Sequence, residues 1–317
     1  MVTRTLVLDK PNWPADYSDS NAGKDTIIGT AQNNTIDGGN GNDILSGKAG
    51  RDNLLGGGGN DGLRGGFGND DLDGGPGDDW LASEPGDDTL SGGPGKDALT
   101  GGAGKDVLEG GTGDDWLHGN LGDDWLYGGI GHDILQGDDG NDRLFGENGN
   151  DTLIGNAGAD ILRGGGGTDL LTAGTGNDQL FGAAGNDSLR GTEGNDTLHG
   201  GSGSDEFLYR LNTNLPKGQT PSATGLDGKD RIVDFSFSDK DVLALLVPKD
   251  FAVKAPDPIA ALDDLGEIKV SAVGNYQNDL SISILGGGSI ILEGVLSQID
   301  GDVYSLSDLN DLAGYKA

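Results

Sequence analysis

The chain has 317 residues and a formal net charge of −33, with 53 acidic and 20 basic side chains. Nucleic acid is disfavoured as a partner, because its phosphates require a basic stripe that this composition lacks. Cysteine is absent, which excludes disulfides and thiolate metal sites. No segment contains the roughly 20 consecutive apolar residues of a transmembrane helix.

Residues 1–19 are predicted to form an N-terminal cap. The segment contains one predicted strand, Thr5–Leu8, and then a polar stretch. Solenoid folds need a cap over their open first coil, so we prefer this interpretation to a binding arm. The opening apolar run is only three residues long, and no cleavable signal peptide is therefore predicted.

Residues 20–208 consist of one nine-residue unit that recurs without insertion or deletion, so these 189 residues contain 21 copies. We number the copies 1 to 21 and the positions in each copy 1 to 9; copy 3, for example, is Gly38–Ser46 (GGNGNDILS). Position 4 is Gly except at Gln32, position 6 is Asp except at Asn34, and position 8 is always apolar. A disordered Gly-rich tract has no need of an apolar residue at one fixed position. The period therefore indicates a solenoid, in which each unit packs on its neighbours.

The unit predicts a turn followed by a short strand. Several glycines allow positions 1–6 to adopt positive φ angles. Alternation along a strand at positions 7–9 then directs position 8 to the opposite face from its two neighbours. Two copies make one coil of 18 residues, and the coils stack as two parallel sheets with the position-8 side chains between them. The predicted fold is all-β, a right-handed parallel β-roll solenoid of nonapeptide repeats with a non-repetitive β-rich C-terminal cap.

The acidic position 6 is predicted to bind calcium. One buried Leu per copy, worth roughly 2–3 kcal/mol, cannot order nine residues that each cost roughly 1–2 kcal/mol. Copies of the same parity stack directly, so each Asp lies one strand spacing from its equivalent. Two carboxylates and turn carbonyls supply the about six to eight oxygens that Ca²⁺ takes, whereas Mg²⁺ demands a tighter octahedron and Zn²⁺ prefers His or Cys.

The predicted calcium ligands form two groups, the position-6 carboxylates and the carbonyls of the turns. The carboxylates are Asp25, Asp43, Asp52, Asp61, Asp70, Asp79, Asp88, Asp97, Asp106, Asp115, Asp124, Asp133, Asp142, Asp151, Asp160, Asp169, Asp178, Asp187, Asp196 and Asp205. The carbonyls include those of Gly38, Asn40, Gly56, Gly58, Gly74, Gly92, Gly110, Gly128, Gly146 and Gly164.

The GGxGxDx(apolar)x units resemble those of the repeats-in-toxin (RTX) proteins, whose hemolysin-type repeats build calcium-bound parallel β-rolls. The resemblance covers Ser20–Leu208, about three fifths of the chain. It implies that each ion lies between turns n and n+2. Eleven odd-numbered and ten even-numbered turns leave ten and nine gaps, so at most about 19 calcium ions are expected.

Copies 2, 8 and 18 contain departures from the family pattern that bear on calcium binding. Copy 2 has Gln32 and Asn34, so the sites that it shares are expected to be weak or empty. Copy 8 begins with Ser83 and copy 18 with Ala173, but both keep the position-6 Asp, so these two changes are expected to matter less.

The resemblance also implies export through a type I secretion apparatus, directed by an uncleaved C-terminal signal. Residues 209–317 are predicted to form the β-rich cap and this secretion region. Gly228–Leu245 and Leu285–Val295 are similar to the tails of type I-secreted proteins. The protein is therefore expected to be secreted and extracellular, and to fold when it meets calcium outside the cell.

The C-terminal region has its own predicted elements. They are strands at Asp230–Phe235 and Val242–Val247, a short helix at Pro258–Leu265, a hairpin of Leu280–Leu285 with Ser289–Leu292, and a short strand or helix at Val303–Leu312. The hairpin prediction depends on the three consecutive glycines between its strands.

Large apolar side chains recur at outward positions of the predicted sheets. Trp80 and Trp116 occupy position 7 on one sheet, and Trp125 lies near Tyr127 on the other. Such a surface can contact a sugar, a lipid or a protein. The alternative, which we favour, is packing against the C-terminal region or lateral shielding of a narrow roll.

No catalytic constellation is predicted. The sequence contains no H-E-x-x-H helix, no G-x-S-x-G turn and no Cys–His pair. His118, His132 and His199 occupy outward or turn positions and are predicted to be surface residues.

The predicted function is that of a non-enzymatic, secreted calcium-binding protein with a structural or interaction role. A membrane-active RTX protein is one alternative. Another is the targeting and folding module of a secreted protease, lipase or polysaccharide epimerase. Ice binding is disfavoured, because the required Thr and Asn coincide only at Thr175 and Asn177.

Overall fold

The computed structural model describes residues 4–8, 16–18, 23–210, 229–234, 242–246, 268–272, 280–284 and 289–292. All regular elements within these ranges are β-strands. In this part of the chain, no helix has the length and apolar character needed to cross a membrane. The chain divides into two compact units, Met1–Ala157 and Gly158–Ala317, which are described in turn.

The described residues of the first unit form 17 strands. They are β1 (Arg4–Val7), β2 (Asp16–Ser18), β3 (Asp25–Ile28), β4 (Thr35–Asp37), β5 (Ile44–Ala49), β6 (Asn53–Leu55), β7 (Gly62–Phe67), β8 (Asp71–Asp73), β9 (Trp80–Pro85), β10 (Thr89–Pro94), β11 (Ala98–Ala103), β12 (Val107–Thr112), β13 (Trp116–Leu121), β14 (Trp125–Ile130), β15 (Ile134–Asp139), β16 (Arg143–Asn148) and β17 (Thr152–Ala157).

Odd-numbered and even-numbered strands of the first unit form two separate parallel sheets. Neighbouring strands pair residue i with residue i+18, as in Leu99↔Leu117 of β11 and β13. The register confirms the predicted coil of two copies and the stacking of copies of equal parity. The predicted N-terminal strand is confirmed as β1, which pairs with β3. The strand β2 lies in a segment that the sequence analysis treated only as polar.

In the second unit, the residues that the structure describes form 11 strands. They are β18 (Ile161–Gly166), β19 (Leu170–Thr175), β20 (Gln179–Ala184), β21 (Ser188–Glu193), β22 (Thr197–Ser202), β23 (Glu206–Arg210), β24 (Lys229–Ile232), β25 (Val242–Leu246), β26 (Ile268–Ala272), β27 (Leu280–Ile284) and β28 (Ser289–Leu292).

The C-terminal strands continue the two sheets of the second unit. One sheet has the order β19-β21-β23-β25, and the other has the order β18-β20-β22-β24-β28-β27-β26. β24 and β25 confirm the first two predicted C-terminal strands, and both pair in parallel with strands of the repeats. The predicted hairpin is confirmed by the antiparallel pair β27–β28. The segments 258–265 and 303–312 lie outside the described residues.

The core of each unit is the predicted ladder of position-8 side chains. From Ile27 to Phe207 these side chains are 0–1% exposed. Burial alternates along the strands, so that positions 7 and 9 face outward while position 8 faces inward. Ile232 of β24 extends the buried ladder of the second unit beyond the last repeat.

Most strands are longer than the sequence predicted. From β9 to β22 each strand has six residues, because it continues through positions 1–3 of the next copy. Gly93 and Pro94, for example, pair with Gly111 and Thr112 of the neighbouring strand. The prediction of a six-residue turn and a three-residue strand was therefore wrong for these copies, since the coil register keeps the Gly-rich residues hydrogen-bonded.

Position 2 adopts a left-handed backbone conformation even where it is not Gly. Ala183 has a φ of 81° and Thr192 a φ of 89°. A residue with a Cβ atom pays about 1–2 kcal/mol for this conformation, whereas Gly adopts it freely. The non-Gly residues with a positive φ at position 2 therefore lower the stability of the roll locally.

Ala183→Gly is expected to stabilise the protein by about 0.5–1 kcal/mol, because it removes this strain. Unfolding in urea at fixed calcium concentration measures the effect. Ala184→Gly is the matched control, since the adjacent Ala184 has no positive φ. Ala184→Gly is expected to destabilise the folded protein by about 0.5–1 kcal/mol, because Gly gives the unfolded chain greater conformational freedom. Equal shifts for the two variants would contradict the strain at position 2.

Candidate metal centre

Each position-6 Asp lies at the end of a tight turn, immediately before a strand. Asp115, for example, precedes β13 and follows Gly113, whose φ of 129° sharpens the turn. The turn directs the carboxylate inward rather than into solvent. All twenty predicted position-6 aspartates are 0–4% exposed, although they lie in turns.

The carboxylates form a ladder along the stacked turns. One oxygen, Oδ1, accepts a hydrogen bond from the backbone N–H of the position-6 residue one coil earlier. Asp115 Oδ1 lies 2.8 Å from the nitrogen of Asp97, and Asp133 Oδ1 lies 2.8 Å from the nitrogen of Asp115. The structure thus brings same-parity aspartates together, in the order that the sequence predicted.

The second oxygen, Oδ2, is buried and points to position 1 of the same copy. For Asp61, Asp79 and Asp115 this atom has no hydrogen-bond partner. A Cβ atom added to Gly56 would lie 2.6 Å from Asp61 Oδ2 and 2.6 Å from the carbonyl oxygen of Gly74. We define the cradle as this space beside position 1. The cradle of a copy lies between the Oδ2 atom of the position-6 Asp of that copy and the carbonyl oxygen of the position-1 residue one coil later in the chain.

Burial raises the pKa of several ladder carboxyl groups. The pKa of Asp106 is raised to about 8, and those of Asp79 and Asp133 are raised to about 7. Burial is the largest cause in each case, the hydrogen bond from the preceding Asp N–H lowers the pKa in part, and neighbouring carboxylates raise it. The ladder therefore favours a ligand that brings positive charge to these oxygens.

The donor set of the cradle suits a hard cation. Its atoms are carboxylate and carbonyl oxygens, which are the ligands that calcium takes. Within the described ranges, no three acidic or histidine side chains converge on one point, so a cation would draw several ligands from the backbone. Of the predicted carbonyls, those of Gly56, Gly74, Gly92, Gly128 and Gly146 border a cradle.

Two of the predicted carbonyls, those of Asn40 and Gly58, belong to position 3 instead of position 1. The predicted carbonyl of Gly58 accepts a hydrogen bond from the N–H of Gly41 at 2.7 Å, and therefore links two coils. The carbonyls of Gly47, Gly137 and Gly200 also border cradles and were not among those predicted. They could have been found from the sequence, because they occupy position 1 like the others.

Copy 2 differs from the other copies in the way that its turn is closed. Asn34 Oδ1 accepts the N–H of Thr30 at 2.7 Å, and Asn34 Nδ2 donates to Thr30 Oγ1 at 3.3 Å. The neutral amide thus bonds within its own turn. This geometry supports the prediction that copy 2 is a poor cation ligand.

A second ladder, at position 5, was missed by the sequence analysis. The N–H of Lys96 donates to Asp78 Oδ1 at 3.0 Å, and the N–H of His132 donates to Asp114 Oδ1 at 3.1 Å. Lys96 also forms an ion pair with Asp114, and this contact lowers the pKa of that carboxyl group. The signal was available, because position 5 is Asn or Asp in most copies.

The predicted outward aromatic side chains are exposed. Trp80 and Trp116 are 51% and 53% exposed on one sheet, and Trp125 is 41% exposed on the other. Tyr127 stacks on Phe145 with a centroid distance of 4.9 Å. Exposed aromatic side chains are thus present on each sheet of the first unit.

The three histidines lie at the surface, as predicted. His118 contacts Asp138, and His132 Nδ1 accepts the N–H of Asn150 at 2.8 Å. His199 stacks on Phe181. Each histidine therefore has a structural contact.

The fold and its turns define a parallel β-roll with a buried position-6 carboxylate in every repeat except copy 2, which has Asn34. The chain belongs to the RTX family of calcium-binding repeats. The family described as the RTX calcium-binding nonapeptide repeat (4 copies) matches residues 19–54, 39–72, 46–81, 73–108, 100–135, 136–171 and 172–207. Repeats of this family bind calcium, which makes calcium the natural ligand for the ladder.

The chain is also similar to a solved structure, that of the extracellular lipase LipA from Serratia marcescens. The alignment has 19% identity and a TM-score of 0.19, and covers 89% of this chain and 40% of the lipase chain. This chain therefore spans about two fifths of the length of that protein. No curated protein sequence matches it.

Proposed function

We propose that the protein is a secreted calcium-binding RTX protein whose roll folds when calcium fills the turns, and that it has a structural or interaction role. The observation that carries the proposal is the buried Oδ2 atom of the ladder, such as that of Asp115, which has no hydrogen-bond partner. A buried carboxylate oxygen without a partner is costly unless a cation or proton compensates it.

The twenty position-6 aspartates and the carbonyl oxygens of the Gly-rich turns would hold the ions. Calcium would supply positive charge between carboxylates that otherwise repel one another. At a free calcium concentration ten times Kd, each site would add about 1.4 kcal/mol of stability. With the predicted upper limit of about 19 ions, this contribution would exceed that of any single element of the core.

The test compares two adjacent carboxylates. Asp115→Asn alters the buried ladder, whereas Asp114→Asn alters the exposed position-5 carboxylate beside it. At pH 8, calcium titrations followed by circular dichroism are expected to show strand formation only in calcium. Asp115→Asn should lower the number of bound calcium ions by up to two, because its turn can share one ion with the stacked turn before it and one with the stacked turn after it. Asp114→Asn should leave the number of bound ions unchanged.

Strand content that persists in a chelator at neutral pH would contradict calcium-driven folding. A similar loss of ions in both variants would contradict the position-6 ladder as the site. Magnesium at the same concentration is the matched metal control, since it demands a tighter octahedron than these turns offer.

The export route and the site of action are part of the same proposal. The family is typically secreted, and we propose that this chain passes through a type I secretion apparatus to the extracellular space. The repeat-only part of the chain fits a non-catalytic role, which supports a protein that is not itself an enzyme. A folding module of a secreted hydrolase would share these repeats.

The exposed aromatic side chains favour one further candidate function, contact with a cell surface, polysaccharide or membrane. Trp80, Trp116 and Trp125 offer amphipathic rings on the two sheets of the first unit. Release of a trapped dye from liposomes in calcium distinguishes membrane activity from a purely structural role.

A further inference from the structure

Among the copies whose position 1 the structure describes, two carry a side chain where the others have Gly. A Cβ atom on Gly47 or Gly110 would lie 2.2 or 2.6 Å from Oδ2 of the same copy, so this space admits no side chain beside an ion. Ser83 in copy 8 and Ala173 in copy 18 nevertheless occupy position 1, and both are 0% exposed. Their side chains fill the cradle.

Ser83 makes a specific contact there. Its hydroxyl group donates a hydrogen bond to the carbonyl oxygen of Gly101 at 2.7 Å. Gly101 is position 1 of copy 10, so its carbonyl is the one that would otherwise face the carboxylate of copy 8. The backbone ladder continues past this point, since Asp88 Oδ1 still accepts the N–H of Asp70 at 2.7 Å.

We propose that Ser83 replaces a bound calcium ion between copies 8 and 10, and that the methyl group of Ala173 closes the equivalent space in copy 18. The inference rests on the proposed calcium binding. The Ser83 hydroxyl joins two coils without metal, because its proton already bonds to the carbonyl oxygen that would ligate the ion. Each of these two copies therefore lowers the expected maximum of about 19 bound calcium ions by one.

The alternative is that the Ser83 hydroxyl is itself a calcium ligand. Two features of the contact weigh against it. The hydroxyl group donates to the Gly101 carbonyl oxygen, which would otherwise face an ion, and the Ser83 Cβ atom occupies the space that Gly leaves in other copies. The side chain of Ala173 carries no oxygen, so this side chain cannot act as a ligand in copy 18.

Native mass spectrometry of the full chain at saturating calcium counts the ions directly. Ser83→Gly is expected to bind one ion more than the wild-type protein, and Ala173→Gly is also expected to bind one more. Gly110→Ser is the converse control, since it places a hydroxyl group in an open cradle of the first unit and should remove one ion. Ala173 lies in the second unit, so Ala173→Gly still tests whether a position-1 side chain excludes an ion if Ser83→Gly does not fold.

The possible outcomes separate this inference from the proposed function. An unchanged count in Ser83→Gly and Ala173→Gly would overturn the inference, while calcium-dependent folding of the wild-type protein would leave the proposed function intact. A lower count in Ser83→Gly would identify the hydroxyl as a ligand and would also overturn the inference. A wild-type protein that binds no calcium would contradict the proposed function itself.

Discussion

Gly113→Ala is expected to prevent the stacking of two coils and to lower the free energy of unfolding by at least about 4 kcal/mol. Gly113 is position 4 of copy 11, and a Cβ atom there would lie 1.5 Å from the carbonyl oxygen of Gly95, one coil earlier. The obstructing atom belongs to the backbone, so no side-chain movement relieves the overlap. The Gly113 N–H also donates to the Ile130 carbonyl at 2.8 Å, which holds the turn in place from the other side.

Urea unfolding at saturating calcium measures this effect, and Gly62→Ala is the matched control. Gly62 lies in β7 with its nearest obstructing atom 3.9 Å from the added Cβ, and its φ is not positive. Ala at this position is expected to be tolerated, with a gain of about 0.4–1 kcal/mol from the less flexible unfolded chain. Equal unfolding midpoints for Gly113→Ala and Gly62→Ala would show that the stacked turns tolerate a side chain.

The coil and its core could be predicted from the sequence because one rule governs every copy. A nine-residue period that alternates between two sheets must place residue i against residue i+18. The apolar residue at position 8, from Ile27 to Phe207, then has only the interior to occupy. Periodicity carries this information without any knowledge of side-chain contacts.

The length of the strands could not be predicted in the same way. Gly93 and Pro94 have poor strand propensity, and locally they indicate a turn. They pair nevertheless, because the preceding strand residues fix the register and so place them beside Gly111 and Thr112 of the neighbouring strand. Tertiary context here overrides local propensity.

The details of the candidate site depend on three-dimensional contacts that the repeat pattern hides. Ser83 looks like a small change in sequence, since Asp88 is retained beside it. Only the contact with Gly101 reveals that its side chain fills the cradle. The position-5 ladder differs, because the Asn and Asp residues of most copies signal it in the sequence and only the contribution of Lys96, through its backbone N–H, depends on the structure.

Without calcium, the protein is expected to be more stable in mild acid than at neutral pH. The folded pKa of Asp106 is raised to about 8, and those of Asp70 and Asp187 are raised to about 7, from an ordinary value of 3.8. A raised folded pKa means that the folded chain holds the proton more tightly. The resulting stability is fully present below the unfolded pKa and is lost as the pH rises through the folded pKa.

The expected window therefore runs from about pH 4 to pH 8. Protein dialysed free of calcium should show strand content near pH 5 by circular dichroism and lose it as the pH approaches 8. Calcium reverses the trend, since it competes with protons for the same carboxylates. Its binding should release protons into a weakly buffered solution, and its apparent affinity should fall as the pH is lowered. Strand content independent of pH in the calcium-free protein would contradict the raised pKa values.

Asp106→Asn separates the cost of the buried charge from its value as a ligand. Without calcium at pH 8, the neutral amide imitates a protonated carboxyl group, so the variant should be more stable than the wild-type protein. With calcium, the variant lacks a charged ligand and should be less stable. Asn34 shows that the fold accepts an amide at position 6, because it bonds to Thr30 within its own turn.

The matched control is Asp123→Asn, because Asp123 lies in the exposed position-5 ladder. The hydrogen bond with Lys105 lowers the pKa of this carboxyl group to about 2, so it is ionised throughout the window. The control variant should therefore behave alike with and without calcium. If Asp106→Asn changed the stability in the same direction with and without calcium, the charge of the buried Asp106 carboxylate would not be the charge that calcium neutralises. A change of sign for Asp106→Asn alone would establish that the same carboxylate opposes folding without the metal and supports folding with it.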